Sequence, residues 1–344
     1  MSTERASLRA CAVAAMCIAA ILWPAAATAQ GQVNIYSYRQ PQLIDPLFKA
    51  FTAKTGIRTN VVFAPSGLNE RLAAEGANTA ADLLFTVDVG RLIETKHAGL
   101  TQPVMSPALK VVHAAFRDPD DQWFGFTLRS RIVYASKERV EQDSITYAEL
   151  ADPKWKVKIC SRSGQHVYNT SLIATVIAHE GTETAEAWLR GLKATLAQKP
   201  AGGDREQVRD VHAGKCDLAI GNTYYMAAML SNPDQRDWAQ SVKLLFPDSA
   251  GRSSHVNISG VALTLLSKNR DNSIKLMEFL ASDQGQSIYA SVNNEYPVSP
   301  NVPVSDAVKS WGTLKPDTLP LSSIAKYRKQ ASEMVDHVGF DAEP

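Results

Sequence analysis

The chain has 344 residues, with 36 Lys and Arg against 35 Asp and Glu and a formal net charge of +1 at pH 7. A balance this even, with no basic cluster along it, leaves no electrostatic footprint for nucleic acid or for an anionic membrane surface. Beyond about 300 residues a single hydrophobic core stops growing, so two domains are expected.

At the start of the chain, Arg5 and Arg9 precede an apolar stretch from Ala10 to about Ala27, and Ala27-Thr28-Ala29 supplies small residues at the cleavage positions. That order reads as a cleavable export signal over 1–29, with Gln30 as the mature N-terminus. Pro24 interrupts the apolar run, no cationic stop-transfer flank follows, and no later segment approaches the roughly 20 apolar residues a membrane span needs. Removing Arg5, Arg9 and Glu4 with the leader leaves 34 basic against 34 acidic side chains, so the mature chain is formally neutral. Cys11 and Cys17 leave with it. Cys160 and Cys216 remain; in an oxidising compartment an isolated pair most often forms a disulfide, with two separately buried thiols as the alternative.

The pattern then alternates. Val33 to Tyr38 is predicted as a strand, Pro41 to Thr55 as an amphipathic helix with Leu43, Leu47, Phe48 and Phe51 inward, and Thr59 to Phe63 as a second strand. A helix near Leu68 to Glu75, a strand over Asp82 to Thr86 and a helix over Arg91 to Ala98 complete a β-α-β-α-β-α series, which predicts a mostly parallel sheet with helices on both faces. Trp123 to Ser136 is a long extended segment suited to crossing between domains. A second α/β series follows: a strand over Lys156 to Cys160, helices over Ser171 to His179, Glu183 to Leu196 and Arg205 to Ala213, and strands over Val242 to Leu245 and Ile258 to Leu265. In the last of these, Ser259-Gly260 marks a second crossing, because Gly permits an unusual backbone. Helices over Ser273 to Leu280, Gly285 to Val292, Asp306 to Trp311 and Ile324 to Val338 close the chain.

Within the second series lies the stretch with chemistry in it. The apolar run Leu218 to Ile220 is followed by Gly221-Asn222-Thr223 and then by Tyr224-Tyr225 opening a helical pattern, which is a strand, a turn and a helix start. Ligands in open α/β sheets bind outside the carboxyl ends of strands, and a helix N-terminus favours phenolate over phenol. A Tyr-Tyr pair in general is ordinary half-buried packing, so the context has to decide. That context is an opening strand Val33-Asn34-Ile35-Tyr36-Ser37-Tyr38-Arg39, then Cys160-Ser161-Arg162-Ser163 ahead of Val167-Tyr168-Asn169, Gly202-Gly203-Asp204, and Asn294-Glu295-Tyr296-Pro297-Val298. Across essentially the whole mature chain these segments resemble the periplasmic ferric-iron-binding proteins of ABC importers, the FbpA/FutA type.

The resemblance implies a two-lobed type II periplasmic binding protein fold, each lobe a mostly parallel sheet flanked by helices, joined by hinge strands near Arg129 and Gly260. It divides the chain into a first lobe over 30–128 and 258–305 and a second over 129–257 and 306–344. It implies a periplasmic protein, a monomer, that captures Fe³⁺ and delivers it to an inner-membrane ABC transporter permease. Tyr168, Tyr224 and Tyr225 match the ligand tyrosines of the family. Where some members carry a His-Tyr pair after the opening strand, this chain has Gln40-Pro41, so one or two coordination positions fall to water or to a synergistic anion such as carbonate. Tyr38, Arg39 and Arg129 are the candidates for holding that anion or for supporting a phenolate from behind.

The chemistry agrees with that implication. Fe³⁺ is a small hard ion that prefers anionic oxygen to sulfur, and phenolate is such a donor. A phenol titrates near about 10 in water, but a bound cation displaces its proton. Three phenolates neutralise a trivalent ion, which makes burial under a closing lobe tolerable. The seven histidines show no spacing of a zinc site, and His166, two residues before Tyr168, reads as a solvated loop residue. Tyr296 has a structural or a cleft role open to it. No Gly-x-Ser-x-Gly elbow with a triad and no paired-carboxylate motif occurs, so no enzyme is expected. The competing function is the same fold binding another small ligand, an organic anion, polyamine or phosphonate, for import; fold alone does not separate the two.

Overall fold

The structure, a computed structural model, describes residues 31–248, 253–317 and 319–343, so the export signal expected over 1–29 lies outside the described residues. Alternating β1 (Gln32–Ser37), α1 (Pro41–Thr55), β2 (Arg58–Phe63), α2 (Leu68–Glu75), β3 (Leu83–Thr86) and α3 (Val89–His97) build the first half. β1 lies between β2 and β3 and is parallel to both, as the alternation predicts. Ile44, Leu47, Phe48 and Phe51 give α1 its buried stripe. Leu43, expected inward, is only partly covered and turns toward the cleft described below.

After β4 (Phe124–Ser136) come β5 (Ile159–Cys160), α4 (Val167–Glu180), α5 (Thr182–Thr195), α6 (Asp204–His212), β6 (Leu218–Asn222), α7 (Tyr224–Ser231), α8 (Arg236–Gln240) and β7 (Val242–Leu245). The chain then returns through β8 (Val256–Leu263) and continues with α9 (Arg270–Ala281), α10 (Asp283–Ile288), β9 (Tyr296–Pro297), α11 (Asp306–Ser310), α12 (Leu321–Ala325) and α13 (Arg328–Val338). The expected helix over Ile324 to Val338 is two helices, with Lys326 and Tyr327 between them. α4 starts at Val167, four residues ahead of the predicted Ser171, because His166 caps it: its Nδ1 accepts from the Tyr168 N–H at 3.3 Å.

The strands run in the order β2-β1-β3-β8-β4-β6-β5, with β7 and β9 also on β4. β4 is shared by both lobes, and all 13 of its residues are buried. Its first half is antiparallel to β8, from Phe124 opposite Val261 to Ser130 opposite Val256; its second half is antiparallel to β6, from Arg131 opposite Asn222 to Ala135 opposite Leu218. The hand-over therefore falls between Ser130 and Arg131, beside the expected Arg129. The returning crossing is not at Gly260. That residue pairs with Thr86 and Gly125 inside the first sheet, and a Cβ there would meet Leu92 Cδ1 and the Phe124 carbonyl oxygen at 2.7 Å. Its glycine serves the close packing of α3 on the sheet. The crossing lies at His255, whose carbonyl accepts from the Arg131 N–H at 3.0 Å and the Ser130 hydroxyl at 3.1 Å. Cys160 in β5 and Cys216 ahead of β6 form a disulfide across 56 residues of chain. Among the described residues no helix is long and apolar enough to cross a membrane.

Candidate ferric-iron site

β6 delivers the tyrosine pair. Gly221 lets Tyr134 pack directly on the strand, since a Cβ would stand 2.2 Å from Tyr134 Cε2, and the Tyr134 hydroxyl donates to the Asn222 carbonyl at 2.5 Å. The Asn222 N–H donates to the buried Asp204 carboxylate at 2.9 Å, which fixes the end of the strand. Tyr224 then opens α7, with its ring 4.2 Å from that of Tyr225 at an interplanar angle of 32°. Tyr168, the second residue of α4, brings its hydroxyl to 3.1 Å from the Tyr224 hydroxyl. Three phenols from two helix N-termini, 56 residues apart in sequence, thus meet at one place.

Two of these phenols are held protonated. Burial, then the neighbouring phenols of Tyr168 and Tyr225, push Tyr224 well above its ordinary value, with Arg129 offsetting part of the shift. Tyr225 is raised in the same way, by burial first and then by Tyr168 and Asp204. Around Tyr168 the field is positive. The guanidiniums of Arg129, Arg131 and Arg162 lie 5.7, 5.8 and 5.3 Å from its ring centre. Asp204 is the carboxylate among them, 2.8 Å from Arg131 and 3.1 Å from Arg162. Burial would raise the Asp204 carboxyl, but the two guanidiniums outweigh it and hold it below the usual range. Arg129 donates from Nη1 to Ser259 Oγ at 3.0 Å, while its Nε and Nη2 are buried without a partner.

The phenols line a cleft of about 330 Å³ together with Arg205 on one side and Tyr38, Arg39, Gln40, Leu43 and Asn293 on the other. Arg39 is 2% exposed and bound through both Nη atoms to Glu295, at 2.6 and 3.1 Å. Tyr38 lines the cleft, with the Arg91 guanidinium 3.8 Å over its ring, and its hydroxyl exchanges hydrogen bonds with Asn69, at 2.9 and 2.8 Å. Gln40 faces the cleft with Gln42, whose amide donates to it at 2.7 Å. Arg129 lies behind Tyr168 and does not line the cleft. Tyr296 is buried in β9 opposite Leu128. His166 is not a solvated loop residue: it caps α4 and packs edge-on against Tyr168 at 4.6 Å. Among the described residues no group of three or more His, Cys, Asp or Glu could hold a metal ion.

The sequence reading missed three residues of this site. Arg205 stands 5.5 Å from the Tyr225 ring with a buried, unpartnered Nε; Glu295 pins Arg39; Asp204 ties Arg131, Arg162 and the β6 end together. Asp204 and Glu295 were both inside segments that carried the resemblance, but nothing in one sequence says which arginine a buried carboxylate will meet.

Two lobes that share crossing strands, with a cleft lined from both sides, define a type II periplasmic solute-binding protein. Residues 78–316 match the family described as bacterial extracellular solute-binding protein, and the chain belongs to that family. Iron uptake protein A1 of Synechocystis sp. is 39% identical over 316 residues, covering 90% of this chain and 88% of its own length. The apo ferric ion-binding protein A of Pasteurella haemolytica superposes with a TM-score of 0.87 at 46% identity, over 90% of this chain and 98% of that one. A Trichodesmium FutA solved with iron and citrate superposes with a TM-score of 0.86 at 38% identity, over 90% of this chain and 100% of that one. The relatives place the chain among the FbpA/FutA-type ferric-iron-binding proteins, as its motifs implied.

Proposed function

We propose that this protein captures ferric iron through Tyr168, Tyr224 and Tyr225 and delivers it to an inner-membrane ABC transporter permease. The observation that carries the reading is the convergence of three phenols from two helix N-termini on one cleft, with the Tyr168 and Tyr224 hydroxyls 3.1 Å apart and the Tyr225 ring 4.2 Å from that of Tyr224. A hard trivalent ion replaces the phenol protons, and the three phenolates neutralise it. Binding and release by lobe closure need no turnover chemistry, and we assign no enzymatic activity. The lobes we assign are 30–130 with 256–305 and 131–255 with 306–344, with the boundaries set by the crossings described above, acting as a monomer in the periplasm after removal of 1–29.

Gln40 and Pro41 offer no anionic donor, so the coordination shell is completed by water or a synergistic anion such as carbonate. Arg205, free of protein hydrogen bonds at its buried Nε and lining the cleft, is the best placed to hold that anion. Arg39 faces it from the first lobe, Arg129 supports Tyr168 from behind, and Tyr38 forms part of the wall. Ferric loading of the mature protein tests the reading: a phenolate-to-iron charge-transfer band is expected in the visible, weakened or moved in Tyr224→Phe and Tyr225→Phe. A colourless loaded protein, or a spectrum indifferent to both substitutions, refutes it.

A further inference from the structure

We propose that Glu295 is a positioning residue of the cargo cleft, acting through Arg39 to keep the first-lobe wall free of an unpaired cation. Glu295 follows Asn294, whose backbone is left-handed at φ 52 and turns the chain out of the π-helical turn Tyr289–Asn293. That turn sends the carboxylate inward, where it is 1% exposed. Arg39 lines the cleft and Glu295 does not, so the carboxylate acts from behind the guanidinium. The contact is two-pronged, 2.6 Å from Nη2 and 3.1 Å from Nη1, which fixes the guanidinium plane as well as its charge. Nη1 also donates to Ser259 Oγ, and the same oxygen accepts from Arg129 at 3.0 Å. Arg129 in turn stands 5.7 Å from the Tyr168 ring centre. A buried relay of Glu295, Arg39, Ser259 and Arg129 thus runs from the first-lobe wall, through the returning strand β8 and the crossing strand β4, to one of the phenols.

The consequence follows from charge. A buried guanidinium stripped of its carboxylate is uncompensated, and the replacement counterion within reach of Arg39 is an anion in the cleft that it lines. Glu295 therefore restricts anion capture to the opposite wall, where Arg205 stands. The inference takes its meaning from the iron reading, but its test begins with apo protein and inorganic phosphate as the probe. Calorimetry is run on the wild type, Glu295→Gln, Arg39→Gln and the double variant. Glu295→Gln is expected to bind phosphate about tenfold more tightly than the wild type, the effect of one added hydrogen-bonded charge contact. The double variant is expected to return to the wild-type value. In ferric-loaded protein, iron loss to a chelator should become phosphate-dependent by a similar factor in Glu295→Gln alone.

Unchanged phosphate affinity in a folded Glu295→Gln protein overturns the proposal. So does equal loss of iron and thermal stability in all three variants with no anion effect, which is the signature of a purely structural pair. If Glu295→Gln does not fold, Glu295→Asp keeps the charge but loosens the two-pronged contact; a phosphate affinity between the wild type and tenfold tighter supports the proposal, and an unchanged one overturns it. A colourless ferric-loaded wild type would remove the iron reading and leave the phosphate comparison standing.

Discussion

Iron binding is expected to expel at least two protons per ion at pH 7. The Tyr224 and Tyr225 phenols are both raised above their ordinary value, by burial first and by each other's neighbours next, so both are neutral before the metal arrives. Each must lose its proton to coordinate as phenolate. By linkage, two displaced protons make the apparent affinity fall about 100-fold for each pH unit of acidification. Between pH 7 and pH 5 that is about 10⁴-fold, or about 5.5 kcal/mol. The sign is fixed by the direction of the shifts: affinity is gained as pH rises toward the phenol range and lost as it falls. Calorimetry in buffers of different ionisation enthalpy counts the protons, with iron delivered as a chelate of known protonation, and chelator competition from pH 5 to 7 gives the slope. Tyr225→Phe should lower the count by one. A wild-type count below one, or a count unchanged in Tyr225→Phe, would refute phenolate ligation at this site.

Two further predictions concern stability. The Cys160–Cys216 disulfide closes a loop of 56 residues in sequence separation, and the chain-entropy model gives it about 4 kcal/mol; replacing both cysteines by alanine should lower the denaturant midpoint accordingly, and an unchanged midpoint would reject that contribution. His255 is 2% exposed, and burial, with smaller effects of Arg131 and Arg129 against those of Asp317 and Asp88, lowers it to about 4. Its folded value thus lies below the unfolded one of about 6.5, so its contribution is present above pH 6.5 and is lost as pH falls toward 4, by about 3 kcal/mol in all. His255→Asn should flatten stability against pH across that window; an unaltered slope would show that His255 is not the group responsible.

Much of the fold was legible because the first series is built from strong local signals. The stripe of Leu47, Phe48 and Phe51 marks α1, and each strand before β4 is short and followed by its helix. The long buried β4 announced itself by length without turn residues. Gly260 misled because glycine has two uses: a special backbone angle and room for close packing. Only the neighbours Leu92 and Phe124 decide between them. His166 misled for a related reason, since a histidine ahead of a helix reads as loop until the acceptor role of its Nδ1 toward Tyr168 is seen. At the candidate site the three tyrosines stood out because they lie in the segments that carry the resemblance and phenol oxygen suits a hard ion. The buried carboxylates Asp204 and Glu295 were not, because the partners of Asp204 lie 73 and 42 residues away and that of Glu295 lies 256 residues away.

The charge arrangement shows what arginine, unlike histidine or lysine, supplies beside the phenols. Arg129, Arg131 and Arg162 against one Asp204 leave two net positive charges beside Tyr168. Guanidinium has donors and no acceptor, so it favours phenolate without competing for the metal, and it does not lose its charge when buried. A histidine in that field is driven neutral: burial first, then Arg162 and Arg131, lower His166 to about 3. Three phenolates and Fe³⁺ sum to zero, so the excess positive charge outlasts metal binding and is not discharged by the cargo itself. In the proposed site an anion completing the coordination shell would lower that excess, and its loss would restore it and weaken the hold on iron. Release by loss of that anion would then add to release by acid, and Arg205 at the cleft wall, with no carboxylate bound to it among the described residues as Glu295 is to Arg39, would leave that route open.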